Sequence, residues 1–138
     1  MKFPSTVSDI MTDIISIEGS TLVEEAAQTM IENKIGSIIV TTDGKPEGII
    51  TRHDMLSRVI VAYKDPRIHN TETIMSSPLI SVGVETSILD AMRFMRAEDV
   101  THLLVKGEKG YVGIISEGDI VSAVTLSSLT QFSTLLRR

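Results

Sequence analysis

Two seven-residue segments carry the residue types and spacing that could do chemistry: Gly48-Ile49-Ile50-Thr51-Arg52-His53-Asp54 and Gly113-Ile114-Ile115-Ser116-Glu117-Gly118-Asp119. Each joins a glycine, two isoleucines, a hydroxyl and, three residues beyond the hydroxyl, a carboxylate. The glycine permits close approach by another backbone or a ligand. The hydroxyl falls where a strand gives way to a helix, and the free N–H groups of a helix start favour an anion. The carboxylate lies on the same side of the first turn. It can accept both hydroxyls of a ribose, each charge-assisted bond contributing roughly 1.5 to 3 kcal/mol. Together these groups suit a ribose phosphate. The same spacing is also an ordinary helix cap. Repetition does not separate the two readings, because repeated caps would be duplicated too.

The duplication extends well beyond the motif. At a constant shift of 65 residues, Ile35-Gly36-Ser37-Ile38-Ile39-Val40 maps onto Val100-Thr101-His102-Leu103-Leu104-Val105, Glu25-Ala26 onto Asp90-Ala91, and Ile15-Ser16-Ile17 onto Ile80-Ser81-Val82. Upstream the register slips: Asp9-Ile10-Met11 matches Thr73-Ile74-Met75 at a shift of 64. One supersecondary unit therefore occurs twice. Because a unit this small holds only a few kcal/mol of core by itself, the copies are expected to pack on each other.

The elements that position the motif follow from periodicity. Leu22, Val23, Ala26, Ala27, Met30 and Ile31 form the apolar rows of an amphipathic helix. Thr21 with Glu24 is expected to cap it. Ile38-Ile39-Val40-Thr41 and Gly48-Ile49-Ile50-Thr51 read as two strands joined by the turn Thr42-Asp43-Gly44-Lys45-Pro46. Met55, Leu56, Val59 and Ile60 mark a second helix, stopped at Lys64-Asp65-Pro66. The second copy repeats this order, with Ser87 and Asp90 capping its helix and strands at 100–105 and 111–116. Each half reads as β-α-β-β-α with a mixed sheet, an α/β (α+β) fold. The expected divisions are 1–64, a linker at 65–74, 75–125, and a C-terminal helical extension at 126–138.

The chain has 138 residues, 18 of them acidic and 13 basic, for a net charge of −5. That sign repels phosphate backbones and anionic membranes at long range. Cysteine is absent, which excludes disulfides and thiolate metal sites. Met1-Lys2-Phe3-Pro4-Ser5 is followed by no apolar export signal, so a cytoplasmic location is expected. From Ile120 to Leu136 there is no charge, but eight Ser, Thr and Gln residues interrupt the run, which is too polar and short to span a membrane. Val121, Val124, Leu129, Phe132 and Leu136 give this helix one apolar face, expected to cover a neighbouring subunit.

A helix, an apolar strand, a turn and Gly-Ile-Ile-[Thr/Ser]-x-x-Asp, twice in tandem, resemble a CBS (cystathionine beta-synthase) domain pair over about residues 5 to 125. The resemblance implies two motifs packed with pseudo-twofold symmetry into one module, a homodimer, and adenosine nucleotides bound between the copies. It further implies crossed clefts. Thr51, Arg52, His53 and Asp54 would face Pro78, Leu79, Ile80, Val100, Thr101 and His102. Ser116 and Asp119 would face Asp13, Ile14, Ile15, Ile35, Gly36 and Ser37. Family members often carry a basic residue just before the motif aspartate, where it can meet phosphates. This chain has Arg52 and His53 in the first copy but Glu117 and Gly118 in the second. The first cleft is therefore expected to be tighter, and the second to stay empty or take a less charged adenosine compound.

His53, His69 and His102 are too dispersed for a metal site, and none is expected. Met11 and Met75 match across the copies and are read as packing. No nucleophile stands beside a base, and Asp54 and Asp119 are duplicated rather than differentiated, so no catalysis is expected. The function expected is a regulatory module sensing an adenosine nucleotide, needing no cofactor and acting on a separate effector protein. The alternatives are a ligand-free dimerisation module and a nucleic-acid-binding protein. The acidic balance and the scarcity of stacking aromatics count against the latter.

Overall fold

The structure, a computed structural model, describes residues 3–136, and side chains as far as Ser128. It is mixed α/β, in the order β1 (Ser16–Glu18), α1 (Val23–Asn33), β2 (Ser37–Thr42), β3 (Lys45–Thr51), α2 (Arg52–Met55), β4 (Ser81–Gly83), α3 (Ile88–Glu98), β5 (His102–Gly107), β6 (Gly110–Ser116) and α4 (Glu117–Leu136). A wide π-type turn, Leu56–Ile60, prolongs α2. The β-α-β-β-α order thus appears in both copies. In each three-stranded sheet the first strand pairs parallel to the second and the second antiparallel to the third, the mixed direction expected.

The chain forms two compact units that do not follow chain order. One comprises Ile14–Leu79, the other Met1–Asp13 together with Ile80–Arg138. The first core gathers Val23, Ala26 and Met30 of α1 under Ile38, Val40 and Ile50 of the sheet, with Val59 and Ile74. The second gathers Ala91 and Met95 under Leu103, Val105 and Ile115, with Val7 and Ile120. Five of these positions correspond at the 65-residue shift, so the duplicated apolar pattern is a duplicated core. Only part of each predicted row is buried: Leu22 before α1 and Ile31 within it face solvent, as do Leu56 and Ile60 after α2.

The β2–β3 hairpin closes on Asp43-Gly44, both with positive φ, as a two-residue turn of right-handed twist requires. Residues Ser37 to Thr41 are buried without interruption, as a strand covered on both faces should be.

One local expectation fails. The residue preceding α1 is Leu22, which offers no capping side chain, and the Thr21–Glu24 capping box does not form. The N–H groups of Val23 and Glu24, which the helix itself leaves open, instead donate to the carbonyls of His69 and Pro66, at 2.9 and 3.0 Å. The 65–71 segment therefore supplies by backbone what a side-chain cap would have supplied, satisfying the donors that a helix start leaves open. Ser87 behaves as expected: its hydroxyl accepts from Asp90 N–H at 3.0 Å. The side chains of Leu129, Phe132 and Leu136, and residues 137–138, lie outside the described residues.

Candidate functional site

In the Ile14–Leu79 unit, Thr51 ends β3 opposite Ser37, the first residue of β2. Its side chain and Asp54 cap α2 reciprocally. Thr51 N–H donates to Asp54 Oδ2 at 2.9 Å, and Asp54 N–H donates to the Thr51 hydroxyl at 3.4 Å. The next amide, Arg52 N–H, donates to Gly36 C=O at 3.2 Å. A Cβ on Gly36 would stand 2.6 Å from Arg52 Nη1, so the guanidinium lies across the start of β2, in the space a side chain at position 36 would take. Arg52 and His53 are exposed; Asp54 is 4% exposed.

The other unit repeats the arrangement. Ser116 ends β6 opposite His102, Ser116 N–H donates to Asp119 Oδ2 at 2.9 Å, and Asp119 N–H donates to Ser116 Oγ at 3.0 Å. Glu117 N–H donates to Thr101 C=O at 2.8 Å, the counterpart of the Arg52–Gly36 bond. The Thr101 hydroxyl lies 3.0 Å from His102 Nδ1. The cap reading is realised in both copies. In both it leaves a helix start with an adjacent strand-end backbone, a hydroxyl and a carboxylate.

Among the residues singled out in the sequence, one unit holds Ile14, Ile15, Ile35, Gly36, Ser37, Thr51, Arg52, His53, Asp54, Pro78 and Leu79, and the other holds Asp13, Ile80, Val100, Thr101, His102, Ser116 and Asp119. Ile35–Ser37 thus lie beside Thr51 and Arg52 within one unit, and Val100–His102 beside Ser116 and Glu117 within the other. Among the described residues, no three of His, Asp and Glu converge as a metal site would need.

Two partners of Asp54 escape sequence reading. Ser76 Oγ donates to Asp54 Oδ1 at 3.0 Å, and Arg58 Nε stands 3.8 Å from the same oxygen. Ser76 reaches it because the 74–78 segment returns to β3: Ser76 and Ile49 exchange both backbone hydrogen bonds, at 2.8 and 2.9 Å. Thr12 does the same to Ile114 in the other unit. The only signal in the sequence was the slip of the repeat from 65 to 64 residues at this point, which aligns Ser76 with Thr12.

A strand–helix–hairpin–helix unit with this cap, present twice, defines a tandem α/β repeat, and the comparisons give it a family. The CBS domain model matches residues 7–61 and again residues 72–126. The chain belongs to the CBS domain family and carries the domain in tandem. It is 33% identical over 133 residues to the CBS domain-containing protein CBSX3, mitochondrial, of Arabidopsis thaliana, covering 87% of this chain and 65% of the plant protein. The crystal structure of an uncharacterized conserved protein from Pyrococcus horikoshii is similar with a TM-score of 0.81 and 31% identity, over 90% of this chain and 95% of that one. A hexameric CBS-CP12 protein from bloom-forming cyanobacteria matches with a TM-score of 0.77 and 29% identity, over 84% of this chain and 66% of that one. Tandem CBS domains generally form regulatory ligand-binding modules, and proteins of this kind are typically regulatory.

Proposed function

We propose that this chain is a non-catalytic regulatory module whose ligand is an adenosine nucleotide. One observation carries the reading: the same cap recurs in both units, with a strand end on one side and helix-start N–H groups, a hydroxyl and a carboxylate within one turn of each other. Ribose hydroxyls want an acceptor, which the carboxylates supply, and phosphates want a cation. Arg52 provides the cation in the first copy; Glu117 in the second opposes a phosphate. Candidate contacts are Thr51, Arg52, His53 and Asp54 with Ile35–Ser37, Pro78 and Leu79 in one unit, and Ser116 and Asp119 with Val100–His102 in the other.

Binding regulates only if two states of the protein differ in ligand affinity. Self-association accompanies this reading, supported by the exposed apolar Leu56, Ile60 and Val61 following α2 and Val121, Val124 and Leu126 on α4. No helix among the described residues is long and apolar enough to cross a membrane. Thermal melting with AMP, ADP, ATP, S-adenosylmethionine, NADH and GTP tests the proposal. A ligand at a hundred times its dissociation constant adds about 2.7 kcal/mol of stability. A rise confined to adenosine compounds supports the sensor. Indifference to all six overturns it in favour of a ligand-free assembly module.

A further inference from the structure

The helix that follows the motif is wound differently in the two copies. After Arg52–Met55, residues Leu56–Ile60 take a π-type turn, closed by Val61 N–H donating to Leu56 C=O at 2.9 Å. In the second copy α4 runs as an α-helix from Glu117 onward. A π turn holds one residue more than an α turn, which shifts everything after it by about 100° around the axis. Burial records the difference. Val59 is 6% exposed and joins the core with Ile74, whereas Val124, its counterpart at the 65-residue shift, is 53% exposed. The preceding pair runs the other way: Met55 is half-buried and Ile120 is buried.

Arg58 sits inside the wide turn and ties it to the 74–76 segment. Its Nη1 donates to the carbonyls of Ile74 and Met75, at 3.2 and 2.6 Å. Its Nε stands 3.8 Å from Asp54 Oδ1, which also accepts from Ser76 Oγ at 3.0 Å. The second copy lacks both donors. Ala123 replaces Arg58, and Thr12, in the place of Ser76, donates its hydroxyl to Ile114 C=O at 3.4 Å. The copy with the guanidinium is wound π, and the copy without it is wound α.

We infer that α2 is a winding switch with Arg58 as its positioning residue. Engaged with the 74–76 carbonyls, the guanidinium holds the π turn; withdrawn from them, it lets the helix continue in the regular winding that α4 shows. Val59 then turns out of the core, and Ile60 and Val61, exposed beyond the turn, move round the axis with it. The winding therefore sets which apolar side chains the first unit presents. Burial of Val59 and the bonds of Arg58 favour the wide turn, while the ordinary preference for α winding opposes it. The trigger rests on the nucleotide reading above: a nucleotide phosphate at the motif draws on the guanidinium, whose side chain is 46% exposed. A ligand that engages one winding and not the other shifts the balance between them.

The chain has no cysteine, so single introduced thiols report the winding. Val59→Cys should react slowly with a thiol reagent, and Val124→Cys fast. Adding Arg58→Ala to Val59→Cys should speed its reaction about tenfold or more. Val40→Cys, buried in the same core, should keep its rate. Saturating AMP should speed Val59→Cys in the same way, adenosine should not, and AMP should add nothing once Arg58 is replaced. Should Arg58→Ala not fold, Arg58→Met, which keeps the aliphatic stem and loses the donors, takes its place. An unchanged rate at position 59 overturns the inference. So does a rate that rises equally at position 40, because the whole unit then loosens. AMP that binds without effect, or adenosine that acts as strongly, overturns the trigger. If calorimetry shows no AMP binding, the nucleotide reading fails, and the Arg58 variants alone decide the winding.

Discussion

The thioether of Met75 fills the space beside Gly48 that a side chain would need: a Cβ there would lie 2.5 Å from Met75 Sδ and 3.0 Å from Ser76 C=O. Met11 stands in the same relation to Gly113, at 2.6 Å. The motif glycine thus admits the chain's own incoming segment, and the methionines serve as packing, as soft side chains filling irregular gaps do. Gly48→Ala should destabilise the protein by roughly 1 to 3 kcal/mol, the usual range for overpacking. Gly113→Ala should cost less, because its three nearest neighbours are all side-chain atoms of Met11, whereas a backbone oxygen crowds Gly48. Urea unfolding of both variants gives the ranking, and equal midpoints would show that the backbone contact gives way as easily as the thioether.

The helix starts separate two superficially similar sequence signals. Ser87→Ala removes an observed cap bond from α3 and should cost about 1 kcal/mol. Thr21→Ala removes a hydroxyl that caps nothing, because the cap position of α1 is Leu22 and the first amides of the helix, Val23 and Glu24, take their partners from the carbonyls of His69 and Pro66. Its effect should stay within about 0.5 kcal/mol, as for an ordinary surface change. Thermal melts of the two alanine variants decide whether the corrected boundary of α1 holds energetically.

The repeat made most of the fold legible, since both sheets, all four helices and both cores recur at one shift, and a strand such as Ile38–Val40 announces itself by unbroken β-branched residues. What escaped was non-local. The reach of Ser76 to Asp54 spans 22 residues, and neither residue's neighbours announce it. The cap of α1 by the 65–71 backbone has no side-chain signature at all, so the nearby Thr21–Glu24 pair was the only local candidate, and tertiary contact overrode it. The motif itself was legible down to the cap bonds of Thr51 and Ser116, whereas the unequal surroundings of Asp54 and Asp119 required the fold.

Stability should depend on pH through Glu18. Its carboxylate accepts from Gly44 N–H and the Thr41 hydroxyl, both at 2.8 Å, bracing the β2–β3 turn. The Gly44 amide first, and Thr41 after it, hold the carboxyl below its ordinary value near 4.5. A depressed folded-state value means that the stabilisation is present above about pH 4.5 and disappears as pH falls through the folded-state value. Glu18→Gln should therefore melt lower than the wild type at pH 7, and the difference should close as both are acidified through the depressed folded-state value. A gap that stays constant with pH would assign the loss to packing rather than to charge.

Because the units do not follow chain order, a substitution near the N-terminus should weaken the second copy rather than the first. Val7 is fully buried in the core of the unit containing Ile80–Arg138, its N–H donates to Thr86 C=O at 2.9 Å, and Ser5 C=O accepts from Ile88 N–H at 3.1 Å. Val7→Ala should cost roughly 1.5 to 3 kcal/mol for the lost methyl groups and the space they leave. Native-state hydrogen exchange reads where that cost falls, since openings follow cooperative segments. The amides of Leu104 and Ile114, in β5 and β6, should lose more protection than those of Ile39 and Ile49 in β2 and β3. The mirror variant, Ile74→Ala, removes a fully buried side chain from the other core and should reverse the pattern. Equal losses in both sheets for both variants would mean that the two cores open together, and the exchange of segments would then be an arrangement in space without separate energetic consequence.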